Sequence, residues 1–143
     1  MLHWLYRLAD RARDRARRKK WPADKAVGRW GEDLAHRFLQ RHGYIVVARN
    51  YRIPDGSGEI DLIAWDGPSL VFVEVKTRTG DEFASPLRNV DSRKLDKLVH
   101  TAAHYLRRSG NSWNCVRFDA VSVVLGEPPR IELLRDLMPV LLR

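Results

Sequence analysis

The sequence predicts a mixed α/β domain, one sheet with helices packed against it, and three observations predict it. Apolar residues recur at three- and four-residue steps over 27–38 and again over 95–106, the period of amphipathic helices. Short β-branched runs at 44–50, 59–65, 70–76 and 116–125 read as strands. Their order is helix, three strands, helix, strand, with a short extra strand at 130–136, which leaves two helices to cover one mixed sheet. A chain of 143 residues, 44% of them apolar, can bury such a core as one domain without disulfides or a structural metal.

The first 22 residues read as a basic arm and residues 23–143 as the domain. Residues 1–30 hold ten Lys/Arg against three acids, which is +7 of the net +8. Leu2, Leu5, Ala9, Ala12 and Ala16 recur at helical spacing, so the arm reads as a basic amphipathic helix suited to phosphates, with an anionic membrane surface as the lesser alternative. Arg7 and Asp10 interrupt its apolar run, as a secretory signal would not. Nor does any stretch approach the roughly 18 apolar residues of a membrane span. Cys115 is the single cysteine, which excludes a disulfide framework or a Cys-based zinc site within one chain and fits a reducing cytoplasm.

Asp24 is the expected cap of the first helix, whose stripe is Val27, Trp30, Leu34 and Phe38 and whose stop is Gly43. YIVVARN (44–50) is the first strand, and RIPDGSG (52–58) is a loop by its Pro, Asp and Gly. The next two strands meet at Asp66-Gly67-Pro68-Ser69. Residues 79–89 lack a period and read as a surface loop. Asp91 or Ser92 caps the second helix, with its stripe of Leu95, Leu98, Val99, Ala102, Tyr105 and Leu106 ending before Gly110.

The second and third strands carry charges where a core strand should not. By alternation Glu59, Asp61, Ile63 and Trp65 share one face, opposite Ile60, Leu62 and Ala64; Leu70, Phe72, Glu74 and Lys76 share another, opposite Val71, Val73 and Val75. A turn centred on Gly67-Pro68 sets Ile63 against Phe72, Asp61 against Glu74 and Glu59 against Lys76. Like charges so opposed are destabilising, so Asp61 and Glu74 want a cation between them. Two readings follow. In one, the carboxylates hold Mg²⁺ or Mn²⁺ through hard oxygens while Lys76 serves an attacking water or a phosphate, an apparatus for phosphodiester hydrolysis. In the other, Glu59–Lys76 is an ion pair at the solvated end of a hairpin.

GEIDLIA (58–64) followed by FVEVKTR (72–78) resembles the core of the PD-(D/E)XK nuclease superfamily. With GRWGEDLAHRFLQRHGY (28–44), the chain resembles the YraN family, similar in turn to archaeal Holliday-junction resolvases. The resemblance covers roughly residues 27 to 125. It implies a restriction-endonuclease-like core, metal on Asp61 and Glu74, catalysis by Asp61, Glu74 and Lys76, and Glu32 as a further acidic member. The helical wheel alone places Glu32 and Asp33 about equally well at the two edges of the stripe, so the family decides between them. Ile60 stands where many members have proline. The resemblance further implies DNA as partner, branched or structured DNA included, a homodimer, and phosphate contacts from Lys94, Arg93 and Arg78. The alternative is a noncatalytic nucleic-acid-binding module that kept the fold.

Lys97 joins Lys94 near the start of the second helix, where a solvated basic face competes with phosphate binding. His36, His42, His100 and His104 have no nearby carboxylate to complete a metal set and read as surface residues. Asp119, inside an apolar strand, is a candidate to support the site from behind.

Overall fold

The structure, a computed structural model, describes residues 23–79 and 92–137. The basic arm, the loop beyond Thr79 and the Asp91 cap lie outside the described residues. Helix α1 (Ala23–Arg41) is followed by β1 (Ile45–Arg52), β2 (Glu59–Asp66), β3 (Ser69–Thr79), α2 (Ser92–Ser109), β4 (Val116–Leu125) and β5 (Arg130–Leu134). The five strands lie side by side in chain order. β1, β2 and β3 form an antiparallel meander, α2 carries the chain across so that β4 runs parallel to β3, and β5 returns antiparallel to β4. The mixed α/β class and the predicted element order hold.

α1 begins at Ala23, so Asp24 falls within its first turn instead of capping it from outside. It stops at Gly43 because that residue takes φ 85, open to glycine without cost. There Tyr44 N donates to Leu39 O and Gly43 N to Gln40 O, which satisfies carbonyls that the last turn would leave bare.

The helices cover opposite faces of the sheet. Leu34, Ala35 and Leu39 of α1 pack on Leu62, Ala64, Val71, Val73, Val121 and Val123. Leu98, Ala102 and Leu106 of α2 pack on Ile63, Leu70, Phe72, Phe118 and Ala120. Each fully buried Leu or Phe here is worth about 2–3 kcal/mol. Because β3 is covered on both sides over Leu70–Val73, that stretch reads as an unbroken apolar run.

The expected β2–β3 register is found from Asp66↔Ser69 to Leu62↔Val73 and no further. Asp61 and Glu74 are therefore not a ladder pair, and Glu59 does not face Lys76. Instead Glu59 lies across from Arg52 on β1 and pairs with it at 3.3 Å. Ile60 leaves the face of Leu62 and Ala64 and joins Ile63 under α2, so the alternation slips at Asp61. On its other side, β2 passes from Arg49↔Leu62 to Tyr51↔Ile60 without an Asn50–Asp61 pair, and Asn50 takes the left-handed φ of 51. Strand irregularity of this kind re-aims a side chain, and here the side chain is Asp61.

Candidate active site: an acidic cluster at the parting of two strands

Where β2 leaves β3, the amide of Val75 loses a strand partner, and Asp61 takes its place. Asp61 Oδ2 accepts from Val75 N at 2.7 Å, so one carboxylate stands in for a ladder bond. Glu74 precedes that amide on β3. The parting of the strands, rather than their direct opposition, thus brings Asp61 beside Glu74.

Two glycines bring further acids in. A Cβ on Gly31 would fall inside Thr77 Oγ1 of β3, so only glycine lets this turn of α1 lie on β3. The next residue, Glu32, then lines a cleft of about 520 Å³ with Val75, Lys76 and Thr77. Likewise a Cβ on Gly58 would fall inside Thr101 Oγ1 of α2, and Gly58 delivers Glu59. Asp33, which the helical wheel left level with Glu32, is buried and pairs with Arg49 of β1 at 2.8 Å. Geometry now separates them: Glu32 faces the cleft, and Asp33 fastens α1 to the sheet.

Burial pushes the Asp61 carboxyl up to about 7; the Val75 hydrogen bond opposes this, and Glu32, Glu74 and Glu59 reinforce it. Each of those three acids has a cation of its own. Glu74 meets Lys94 at 3.1 Å, Glu59 meets Arg52, and Glu32 lies 3.5 Å from Arg29 and 3.8 Å from Arg49. Among the described residues Asp61 has no ion pair. As the side chains stand, no three His, Cys, Asp or Glu among the described residues are gathered closely enough to hold a metal ion. The groups of the cluster, Asp61, Glu74, Glu32 and Glu59, are all carboxylates, whose oxygens are hard donors.

The cations stand on the same ground. Lys76 lines the Glu32 cleft, and its pKa is lowered by burial first, then by the nearby positive charges of Lys94 and Arg78. Arg78 Nε is buried without a hydrogen-bond partner among the described residues. Lys94 and Lys97 line a second cleft, about 550 Å³, with Arg52, Ser57, Gly58, Glu59 and Glu74. Arg93 is exposed, one residue before Lys94.

The structure thus brings Asp61, Glu74, Glu32, Lys76 and Lys94 together. It does not bring Asp119 there. Asp119 is wholly buried and accepts from the Tyr44 hydroxyl, from Arg117 and from the Asp136 amide, while Arg117 also reaches Asp66 beside the β2–β3 turn. His100 and His104 bond Ser57 and Tyr51, which ties β1 and the following loop to α2. Sequence reasoning missed Gly31, Gly58, Arg49 and Arg52. The signal for the glycines was present: each immediately precedes an acid of the cluster.

A helix, an antiparallel three-stranded meander, a crossover helix and a parallel fourth strand define a mixed α/β protein whose order matches a restriction-endonuclease-like core. The chain belongs to the UPF0102 family, described as an uncharacterised protein family, whose model matches residues 31–123. A UPF0102 protein of Solibacter usitatus is 54% identical over 135 residues, covering 94% of this chain and 98% of the relative. Relatives of the same description from Koribacter versatilis and Rhodococcus jostii are 44% and 46% identical, covering 80% and 78% of this chain and 80% and 94% of their own lengths. Among the described residues no helix is long and apolar enough to cross a membrane.

Proposed function

We propose that the protein is a metal-dependent endonuclease that hydrolyses phosphodiester bonds of DNA, branched or structured DNA included. The observation that carries this reading is the condition of Asp61: a partly buried carboxylate, ringed by three acids, with no ion pair among the described residues. A divalent cation on Asp61 and Glu74 relieves that excess, and an all-carboxylate donor set suits Mg²⁺ or Mn²⁺. When bound, such an ion draws charge from the phosphate under attack and acidifies water.

The chain's own residues then have separable tasks. Lys76, with its lowered pKa and its place beside Glu32, orients or deprotonates the attacking water and neutralises charge on the phosphate. Glu32 completes the acidic cluster. Lys94, Arg78 and Arg93 hold backbone phosphates, supported by Lys97 and the basic arm. A homodimer suits paired cuts in a branched substrate.

The ion pairs on Glu74 and Glu32 favour one second reading, a noncatalytic nucleic-acid-binding module in which these acids are structural. The test is Mg²⁺- or Mn²⁺-dependent cleavage of labelled single-stranded, duplex, flap and four-way-junction DNA by wild type and Glu74→Ala, with binding followed in Ca²⁺. Cutting that vanishes in the variant while binding persists supports the nuclease. Binding without cutting in either protein supports the module, and no binding at all sinks both.

A further inference from the structure

Lys94 is assigned above to phosphate, yet in the structure it holds Glu74. The two side chains meet at 3.1 Å and are 36% and 21% exposed, so the pair lies open to the cleft it lines. Arg52 and Lys97 line the same cleft beside the backbone of Ser57 and Gly58. A phosphate entering there meets Lys94 among three cationic side chains. Lys76 lies close enough to Lys94 for the Lys94 charge to oppose its own protonation. A divalent ion approaching Glu74 with Lys94 in place would therefore face two ammonium groups, and like charges crowded at one carboxylate repel it.

From this geometry we infer that Lys94 is a lock on the metal site. It neutralises Glu74 in the free protein, and transfers to a nucleic-acid phosphate when a strand enters the cleft, leaving Glu74 open to the cation. The inference rests on the nuclease reading of the site. A lysine suits the exchange, being a hydrated point charge on a flexible stem rather than a rigid bidentate fork. Because binding free energies couple reciprocally, nucleic acid tightens metal binding by the same factor as metal tightens nucleic-acid binding. A metal site so locked stays poorly loaded until substrate arrives, which guards against cutting elsewhere.

The test is Mn²⁺ binding by the full-length protein, read from the electron paramagnetic resonance of free Mn²⁺. It is run with and without a phosphorothioate-linked duplex, with the duplex's own binding subtracted. For wild type the duplex should raise Mn²⁺ affinity about tenfold, within the usual range of coupling between sites. Lys94→Gln, without duplex, should bind Mn²⁺ about five- to tenfold tighter than wild type, and the duplex should then add less than about twofold. Lys97→Gln lines the same cleft without pairing to Glu74, so it should keep the coupling while weakening duplex binding. Circular dichroism of each variant checks the fold.

Mn²⁺ affinity unchanged in Lys94→Gln, or coupling that survives it, overturns the lock and leaves the nuclease reading intact provided Asp61→Asn abolishes Mn²⁺ binding. Equal coupling losses in Lys94→Gln and Lys97→Gln would overturn it too, by showing a general charge effect. Mn²⁺ binding that is absent from wild type, or that persists in Asp61→Asn, removes the metal reading and the lock with it.

Discussion

Asp119 and Asp61 both lie against the apolar core, and their surroundings are opposites. Asp119 sits where α1 ends, wholly buried, accepting hydrogen bonds from Tyr44, Arg117 and the backbone of Asp136, while Arg135 closes the ring on the Tyr44 hydroxyl at 3.1 Å. Asp61 sits where β2 and β3 part, with one backbone donor and three acids for neighbours. In the first place the protein has supplied every counter-charge itself: burial and the Asp119 charge push Tyr44 up to about 12, and bonding to Asp119 holds Arg117 firmly protonated. In the second it has gathered negative charge around Asp61, which has no ion pair among the described residues. A buried polar network that is fully satisfied specifies structure, whereas one left short is where an absent partner belongs.

The largest effect should fall on the satisfied end. Asp119→Ala leaves Arg117 and the Tyr44 hydroxyl without their shared acceptor and frees the Asp136 backbone that follows β5. Removing one member of a buried charged pair typically costs about 3–5 kcal/mol, and urea denaturation should show a loss of that size. The metal binding proposed at Asp61 should survive in the folded fraction. A loss under about 1 kcal/mol would dissolve the contrast between the two ends.

The glycines come next. Gly31→Ala adds a methyl that Thr77 cannot admit, at a cost of about 2 kcal/mol, against the gain that alanine usually brings to a helix. Gly28, one turn earlier, has nothing within 4 Å of where its Cβ would stand, so Gly28→Ala should stabilise by about 0.5–1 kcal/mol. Opposite signs from the same substitution, three residues apart, would locate the close approach of α1 to β3. Adding Thr77→Ala to Gly31→Ala should recover more than half the loss, and a merely additive double variant would reject that contact.

A smaller effect, with a distinctive pH profile, belongs to Asp61. Its folded pKa of about 7 stands above the unfolded value of 3.8, so the folded chain keeps a proton that the unfolded chain has lost. That contribution is fully present below about pH 4, declines as pH rises, and is gone above pH 7. In EDTA, Asp61→Asn should therefore unfold at higher urea than wild type at pH 8, by about 1–2 kcal/mol, with the advantage vanishing toward pH 4. The full linkage value for such a shift, ~4 kcal/mol, is an upper bound because a partly buried site relaxes. Mn²⁺ should raise the midpoint of wild type more at pH 8 than at pH 6, since at pH 6 it must displace the proton. Parallel profiles for wild type and Asp61→Asn would end the argument that Asp61 is uncompensated.

Much of this was legible in the sequence, and the failures have physical causes. Alternation and the Gly67-Pro68 turn predict every β2–β3 pair from Asp66↔Ser69 to Leu62↔Val73, because side-chain parity is fixed once the turn is. The same rule fails at Asp61, since a slip in one strand leaves no mark in its own hydrophobic pattern. The nearest trace is Asn50 on the neighbouring strand, a residue that tolerates left-handed backbone among β-branched ones. The cations of both ends were harder still. Arg49 reaches α1 and Arg117 reaches the β2–β3 turn only after the sheet order is known, and nothing local in the sequence names those partners. Asp61 and Glu74 did come together, through a parting of strands rather than as an opposed pair, whereas Glu59 met Arg52 instead of Lys76.

The smallest expected change in stability is at Arg52–Glu59, the most exposed ion pair of the site, with side chains 65% and 39% exposed. Such a pair contributes little, and Arg52→Ala should shift the urea midpoint by less than about 0.5 kcal/mol. Its value to the comparison lies elsewhere. Arg52 lines the Lys94 cleft, so its loss should weaken duplex binding and flatten the salt dependence by about one counterion, whatever the DNA sequence. Arg135 at the satisfied end is an exposed cation too, but its guanidinium lies over the Tyr44 ring and bonds its hydroxyl. Arg135→Ala should therefore leave the salt slope of duplex binding untouched. If the two variants weaken binding equally, the positive charge at the parted strands is general to the surface, and the cleft loses its claim to the phosphate.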